Sequence, residues 1–291
     1  MTGYTAKMPA KKDNIRPRKQ AAATKKNTAR HKKKPRKKKP VRKISLGWKS
    51  IAAISAAVLA LVLIPLAHRK AGETGATVPE GFHGKYAIDI SHHNGGKIAW
   101  DSLFVFTDAS GRTTLSKDRA TDIHRVAFAF IKATEGEKMV DRMFSENWKN
   151  AGKSPVRRGA YHFFRSSKSP AAQADNFIRT VGTLRHGDLP PVLDIETMHK
   201  GCTKEALSAS ALQWLRKVEG HYGRKPVVYT SDHFAREVLS KEITEGYPLW
   251  IAHYDTPAPL TEDWAIWQFT DRAVIVGLHG KADLSICRNF P

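Results

Sequence analysis

The 291-residue chain carries 49 Lys and Arg against 27 Asp and Glu, a formal net charge of +22. Residues 1–49 hold 19 of the basic residues and a single acid, Asp13, so +18 belongs to the N-terminal tail and only +4 to the other 242 residues. The chain's two cysteines have no zinc-site spacing with histidines and there is no Gly-rich phosphate loop, so no metal and no cofactor are expected.

Residues 24–43 are a Lys and Arg tract with Pro, Ala and Asn and no aromatic residue, which cannot bury enough apolar surface to fold alone. Residues 51–67 then run without a charge, and with Leu46, Gly47 and Trp48 the apolar stretch approaches the roughly 20 residues that span a bilayer. The charge excess lies on its N-terminal side, which places the tail in the cytoplasm and everything after the span outside it. The expected organisation is therefore a disordered basic tail at 1–48, a transmembrane signal anchor at 49–68, a linker at 69–84 and a catalytic domain at 85–291, in a single-pass membrane protein whose domain is periplasmic or extracellular. A cleaved signal peptide is the alternative, although fifty residues make a long leader. Anionic lipid of the inner leaflet is the expected partner of the tail; nucleic acid, bound by counterion release, is the rival. Cys202 and Cys287 fit a compartment where disulfides persist, and a bridge between them is one possibility.

After the linker the chain alternates strands and helices. The segment 86–90 reads as a strand ending at Asp89, 98–103 as one helical turn, and 104–122 as a polar hairpin or loop. The segment 126–136 is a second strand that turns polar at Lys132 and Glu135. Met143, Phe144, Trp148 and Ala151 recur at helical spacing, and 159–164 is a third strand. Ser169 and Pro170 open a helix to about Val181. Residues 203–222 form an amphipathic helix that Gly223 ends, followed by strands at 226–230, 248–252 and 265–269, a short helix at 234–239, and a last strand around Asp283. Such alternation predicts a parallel sheet, and eight candidate strands predict its closure into a barrel, with a doubly wound open sheet as the alternative.

Between the third strand and the long helix, Val192, Leu193 and Ile195 make a short buried run that carries Asp194 and Glu196. Side chains two apart on a strand share a face, about 6.6 Å apart along the backbone. Two carboxylates held that close push their pKa values apart, one protonated and one ionised, which is the chemistry of glycoside hydrolysis. A helix cap and a solvated acid would explain the same pair. What favours chemistry is recurrence: polar groups fall repeatedly at strand C-termini, among them Asp89, Lys132, Tyr161, Tyr229, Gln268 and Asp283.

Seven motifs in order, AIDISHHN at 87–94, FIKATEG at 130–136, GAYHFF at 159–164, PVLDIE at 191–196, LWIAHY at 249–254, IWQF at 266–269 and ADL at 282–284, resemble glycoside hydrolase family 25, the Chalaropsis-type lysozymes or N-acetylmuramidases. The resemblance covers residues 85–291. It implies an α/β fold, a modified, flattened (β/α) barrel, TIM-barrel-like with eight strands and fewer helices. It also implies cleavage, by a monomer, of the β-1,4 bond between N-acetylmuramic acid and N-acetylglucosamine in peptidoglycan glycan strands. Carried over by motif, Glu196 is the general acid and later the base, and Asp194 orients the substrate's own 2-acetamido group as internal nucleophile. Asp89 and Asp283 are supporting acids, and Tyr161, Tyr229, Trp250, Tyr254, Trp267 and Lys132 are expected to bind substrate. His92 and His93 receive no role. The stretch 104–122 exceeds the family's usual link and is expected to alter a groove wall. The rival classes are a glycan-binding module that no longer cuts, against which stand the four acids, and a nucleic-acid-binding protein that acts through its tail.

Overall fold

The computed structural model describes residues 74–82, 84–94, 97–288 and 290. The basic tail, the expected anchor and the start of the linker lie outside the described residues. Among those described, no helix is long and apolar enough to cross a membrane.

Among the described residues twelve strands are formed: β1 (Thr74–Thr77), β2 (Lys85–Ile90), β3 (Phe104–Asp108), β4 (Arg112–Thr114), β5 (Ala120–Glu135), β6 (Met139–Val140), β7 (Arg157–Phe163), β8 (Val192–Asp194), β9 (Val227–Ser231), β10 (Leu249–Ala252), β11 (Trp264–Val274) and β12 (Lys281–Cys287). Eight of them close a barrel in the order β5-β2-β12-β11-β10-β9-β8-β7, with β7 returning to β5. The eight strands expected from the sequence are these eight. The all-parallel expectation needs correction, because β12 runs antiparallel to both β11 and β2. A short apolar run encodes which residues are buried and carries no sign of strand direction. What reverses β12 is its connection, a six-residue turn from β11 with no crossover helix.

The helices are α1 (Phe144–Ala151), α2 (Pro170–Val181), α3 (Lys204–Tyr222), α4 (Asp232–Glu237) and α5 (Lys241–Thr244). Their ends follow the sequence signals. Ser169 Oγ accepts from the Ala172 N–H with Pro170 in the first turn, Thr203 Oγ1 accepts from the Ala206 N–H at 3.2 Å, and Gly223 ends α3 at φ 63°.

Where a helix would connect β2 to β5 the chain instead forms the β3–β4 hairpin. Asp108 Oδ1 accepts from the Ser110 and Arg112 backbone N–H groups, both at 3.0 Å, and Gly111 takes φ 72°, so the residues expected at a hairpin tip do turn the chain. Part of the expected linker is also structured. Thr74–Thr77 pairs with β4, and Phe82 packs edge-on against Tyr86 at 5.7 Å. TGAT has no apolar alternation to reveal a strand; its pairing is supplied by the β4 edge.

Period-two alternation divides the barrel's apolar residues into two layers. Ile88, Ile131, Leu193, Val228 and Ile251 point outward and pack under the helices, with Phe177, Trp214 and Leu215. Ala87, Phe128, Phe130, Val192, Val227, Trp250 and Ile266 point inward and fill the interior with Cys287 and Phe290. Gly159 is fixed by this inner packing, since a Cβ there would lie 2.6 Å from the Phe130 ring. The inward positions one pleat further on are not apolar, and they make the site.

Candidate active site

Counting two residues on from the inward residues of six strands gives Asp89 after Ala87, Lys132 after Phe130, Tyr161 after Gly159, Asp194 after Val192, Tyr229 after Val227 and Gln268 after Ile266. All six line one cleft of about 290 Å³, with Glu196, Asp283, Phe163 and His93, and Trp250 in its wall. Asp283 arrives from the opposite direction. It is the third residue of β12, directly opposite Asp89 in the antiparallel register, so the reversed strand presents its first half where the others present their ends. The strand carrying Asp194 is prolonged by the Ile195 N–H donating to the Tyr229 carbonyl at 3.0 Å and by Thr230 Oγ1 donating to the Ile195 carbonyl at 2.6 Å. That extension keeps Glu196 on the face of Asp194.

The two carboxyls of this strand differ in setting. Asp194 is 6% exposed, and its Oδ1 has no hydrogen-bond partner. Burial, then the charges of Glu196 and Asp89, hold its pKa well above the usual carboxylate range, against the pull of Lys132. Glu196 stands at the solvent edge, where partial burial raises its pKa and the Tyr229 hydrogen bond, then the Lys132 charge, oppose the rise. Lys132 itself donates to Glu135 Oε2 at 2.7 Å and lies over the Phe163 ring. It therefore serves the acids as a fixed counter-charge more than as a free ligand for sugar.

Asp89 and Asp283 form a second pair. Burial raises Asp89 first and the Asp283 charge raises it further, while Asp283 is pushed up to about 6, chiefly by burial, with the Asp89 hydrogen bond opposing. The signs agree on one arrangement: Asp89 keeps a proton and donates it to an ionised Asp283. Gln268, 1% exposed, ties this pair to the rest of the site. Its Nε2 donates to Asp89 Oδ2 at 2.8 Å, and its Oε1 accepts the Tyr229 hydroxyl at 2.9 Å and the Tyr254 hydroxyl as well. The Tyr229 hydroxyl is also a hydrogen-bond neighbour of Glu196. Sequence reasoning noticed Gln268 at a strand end and gave it no role, because an uncharged amide carries no chemical signature on its own; its parity with Ile266 was the available signal.

The expected aromatic contacts separate. Tyr161 and Tyr229 line the cleft, Trp250 closes its wall with its Nε1–H donating to Ser285 Oγ at 3.0 Å, and Tyr254 lines a second cleft that shares Glu196 and Tyr229 with the first. Trp267 does not reach either one. Adjacent to Gln268 on the strand, it points to the other face, 2% exposed, with its Nε1–H on the His253 carbonyl at 2.7 Å. The Cys202–Cys287 bridge is also absent: both thiols are free. Cys287 lies opposite Lys85 at the start of β2, whereas Cys202 follows Glu196 beyond the end of β8, so the reversal of β12 carries the two to opposite ends of the barrel. His92 Nδ1 pairs with the buried Asp141 at 2.6 Å. Among the described residues no group of His, Cys, Asp and Glu is placed to hold a metal ion.

Known proteins are similar to this chain in sequence and in fold. The uncharacterized protein YegX of Escherichia coli K12 is 42% identical over 164 residues, 56% of this chain and 59% of its own length, so the match spans under two thirds of that relative. Lysozyme M1 of Streptomyces globisporus is 31% identical over 70% of this chain and 68% of its own. Among solved structures, a bacterial lysozyme from Streptomyces coelicolor superposes with a TM-score of 0.59 at 28% identity, covering 72% of this chain and 94% of that one. A family 25 glycosyl hydrolase from Bacillus anthracis gives 0.58 at 28%, covering 73% and 95%. The sequence profile of the glycosyl hydrolases family 25 matches residues 88–278, and the chain belongs to that family.

Proposed function

We propose that this chain is a peptidoglycan hydrolase that cleaves the β-1,4 bond between N-acetylmuramic acid and N-acetylglucosamine. The observation that carries the reading is the position of Glu196 at the junction of two clefts, one holding Asp89, Asp194 and Asp283 and the other running past Tyr254 and His253. A glycan threaded through both would place one sugar on either side of a proton donor, as hydrolysis within a chain requires. The membership of family 25 and the likeness to lysozymes support the same substrate.

The proton inventory supports a division of roles. Tyr229 has one hydroxyl proton, and Gln268 Oε1 takes it. Burial raises the Glu196 pKa and favours the protonated acid ready to protonate the leaving oxygen, while the hydrogen bond with Tyr229 acts in the opposite sense, toward the carboxylate. Once that proton is gone, Tyr229 can turn its hydroxyl to the new carboxylate while Tyr254 continues to satisfy Gln268, so the same residue is stabilised as the base for incoming water. The unpartnered Asp194 Oδ1 suits the N–H of a substrate 2-acetamido group. In the free site the drier Asp194 competes for the proton shared with Glu196; a donor on Oδ1 would stabilise its anion and leave the proton with Glu196, poising the pair as substrate binds. The polarised acetamido oxygen would then attack the anomeric carbon, the substrate-assisted variant of retention. Asp89 and Asp283, already satisfied by each other and by Gln268, hold the frame.

The anchor and the cytoplasmic basic tail are part of this proposal and rest on sequence: a charge-free span beside a tail of +18. The test is to incubate the purified full chain with peptidoglycan, reduce the new ends and identify them by mass spectrometry. Reduced N-acetylmuramic acid at the new ends is expected. New N-acetylglucosamine ends, or none, would refute the assignment.

A further inference from the structure

At the end of the barrel remote from the acids, a cleft of about 470 Å³ lies between α1, the last turn of α2 and the start of β7. Its base is built around Arg158, which is 5% exposed. The guanidinium stacks on the Trp148 ring at 3.9 Å, and Gly152 leaves room for it, since a Cβ there would meet Arg158 Nη1 at 2.5 Å. Arg158 Nε and Nη2 donate to the two Asp188 oxygens at 2.8 and 3.1 Å, and Nη1 donates to the Trp148 carbonyl. That uses three of five N–H donors. Around this base stand Lys149, Lys153 and Arg185, exposed, with no ion pair or hydrogen bond from their charged groups among the described residues, and the hydroxyls of Ser145, Thr180 and Thr183. No carboxylate lines the cleft, whereas four other clefts of the barrel each include at least one.

Scattered surface lysines are ordinary solvated charge. Here three uncompensated cations converge on one concavity whose base is a buried, pre-oriented guanidinium with two donors to spare, and the acid that pairs with it, Asp188, is already used. Fixed fork donors and ammonium groups are the chemistry that recognises an oxyanion, and the added hydroxyls suit a polar chain carrying it. We propose that this cleft binds a phosphate group borne on a polyol chain. The site would moor the hydrolase to a phosphate-bearing polymer of the wall while the opposite end of the barrel works on glycan. It stands independently of the roles given to Asp194 and Glu196.

The test is lysine footprinting of the full chain in detergent, with acylation of each amine followed residue by residue by mass spectrometry. Glycerol 3-phosphate is the probe, and glycerol and glucuronate are the controls. Lys149 and Lys153 are expected to be protected several-fold by the phosphate and not by glycerol, while Lys204 and Lys241, exposed elsewhere, keep their rates. Arg185→Glu should abolish the protection and leave peptidoglycan hydrolysis unchanged, because it touches nothing in the acid cluster. Uniform protection of all lysines, no protection, or undiminished protection in Arg185→Glu would overturn the site. Equal protection by glucuronate would overturn the phosphate assignment.

Discussion

The two carboxylate pairs of the site are built in opposite ways. Asp194 and Glu196 lie two residues apart on one strand, so a single segment carries them to the cleft. Asp89 and Asp283 lie at opposite ends of the domain sequence and meet only because β12 runs backward against β2. The local pair is left unfinished, with one buried oxygen unpartnered and one carboxyl at the solvent edge. The distant pair is completed internally, by a shared proton and by Gln268. Within this cleft the unsatisfied buried acceptor on Asp194 marks where substrate is needed, and the satisfied pair marks the frame that holds it.

That contrast fixes the order of expected effects. Glu196→Gln keeps shape and removes the transferable proton, so hydrolysis of peptidoglycan should fall by about 10² to 10⁴ while glycan binding persists. Pull-down with insoluble wall separates the two. Asp194→Asn should cost about 10² or more, and it should also lose affinity for a thiazoline-type mimic of the cyclised intermediate; undiminished affinity would detach Asp194 from the acetamido group. Gln268→Leu breaks the link between the pairs and leaves Tyr229 without its acceptor, so the acidic and alkaline limbs of the rate profile should both move, with a rate loss of about tenfold. A loss of rate with an unmoved profile would reduce Gln268 to packing.

Smaller effects sharpen the frame side of the comparison. The folded-state pKa of Asp283, raised to about 6 from its ordinary 3.8, means that the native state binds more protons than the unfolded chain in that window. The contribution is intact below the ordinary value and is lost as pH rises through about 6. Asp283→Asn should therefore gain stability relative to the parent between pH 4 and 7, on the order of 1 kcal/mol once the proton shared with Asp89 is discounted. A difference in thermal midpoint that stays constant across that range would contradict the raised value. Smallest for activity is Trp267→Phe, which should lower the melting temperature and leave turnover of the folded protein within about twofold, since the indole packs away from the cleft.

Sequence reading recovered what parity and punctuation encode: eight barrel strands, the cap at Ser169, the helix end at Gly223 and a turn within 104–122; the four acids named through their motifs line one cleft. It could not recover strand direction. That one omission separated Cys202 from Cys287 and concealed why Asp283 reaches the site from the first half of its strand. Nor could it choose between adjacent aromatics. Trp250 faces in and Trp267 faces out, and the choice depends on which neighbour, Ile266 or Trp267, fills the barrel interior. The strand at Thr74–Thr77 was hidden because its residues are small and polar; it exists through a partner edge more than through its own propensity.

The division of labour between Glu196 and Asp194 is the centre of the account, and leaving-group dependence tests it most directly. Rates of the parent, Glu196→Gln and Asp194→Asn would be measured on a natural glycan and on an aryl glycoside whose phenolate needs little protonation. The account predicts that the Glu196→Gln defect shrinks sharply on the aryl substrate while the Asp194→Asn defect remains. Equal defects on both substrates for Glu196→Gln, or a glycosyl ester trapped on Asp194, would contradict it.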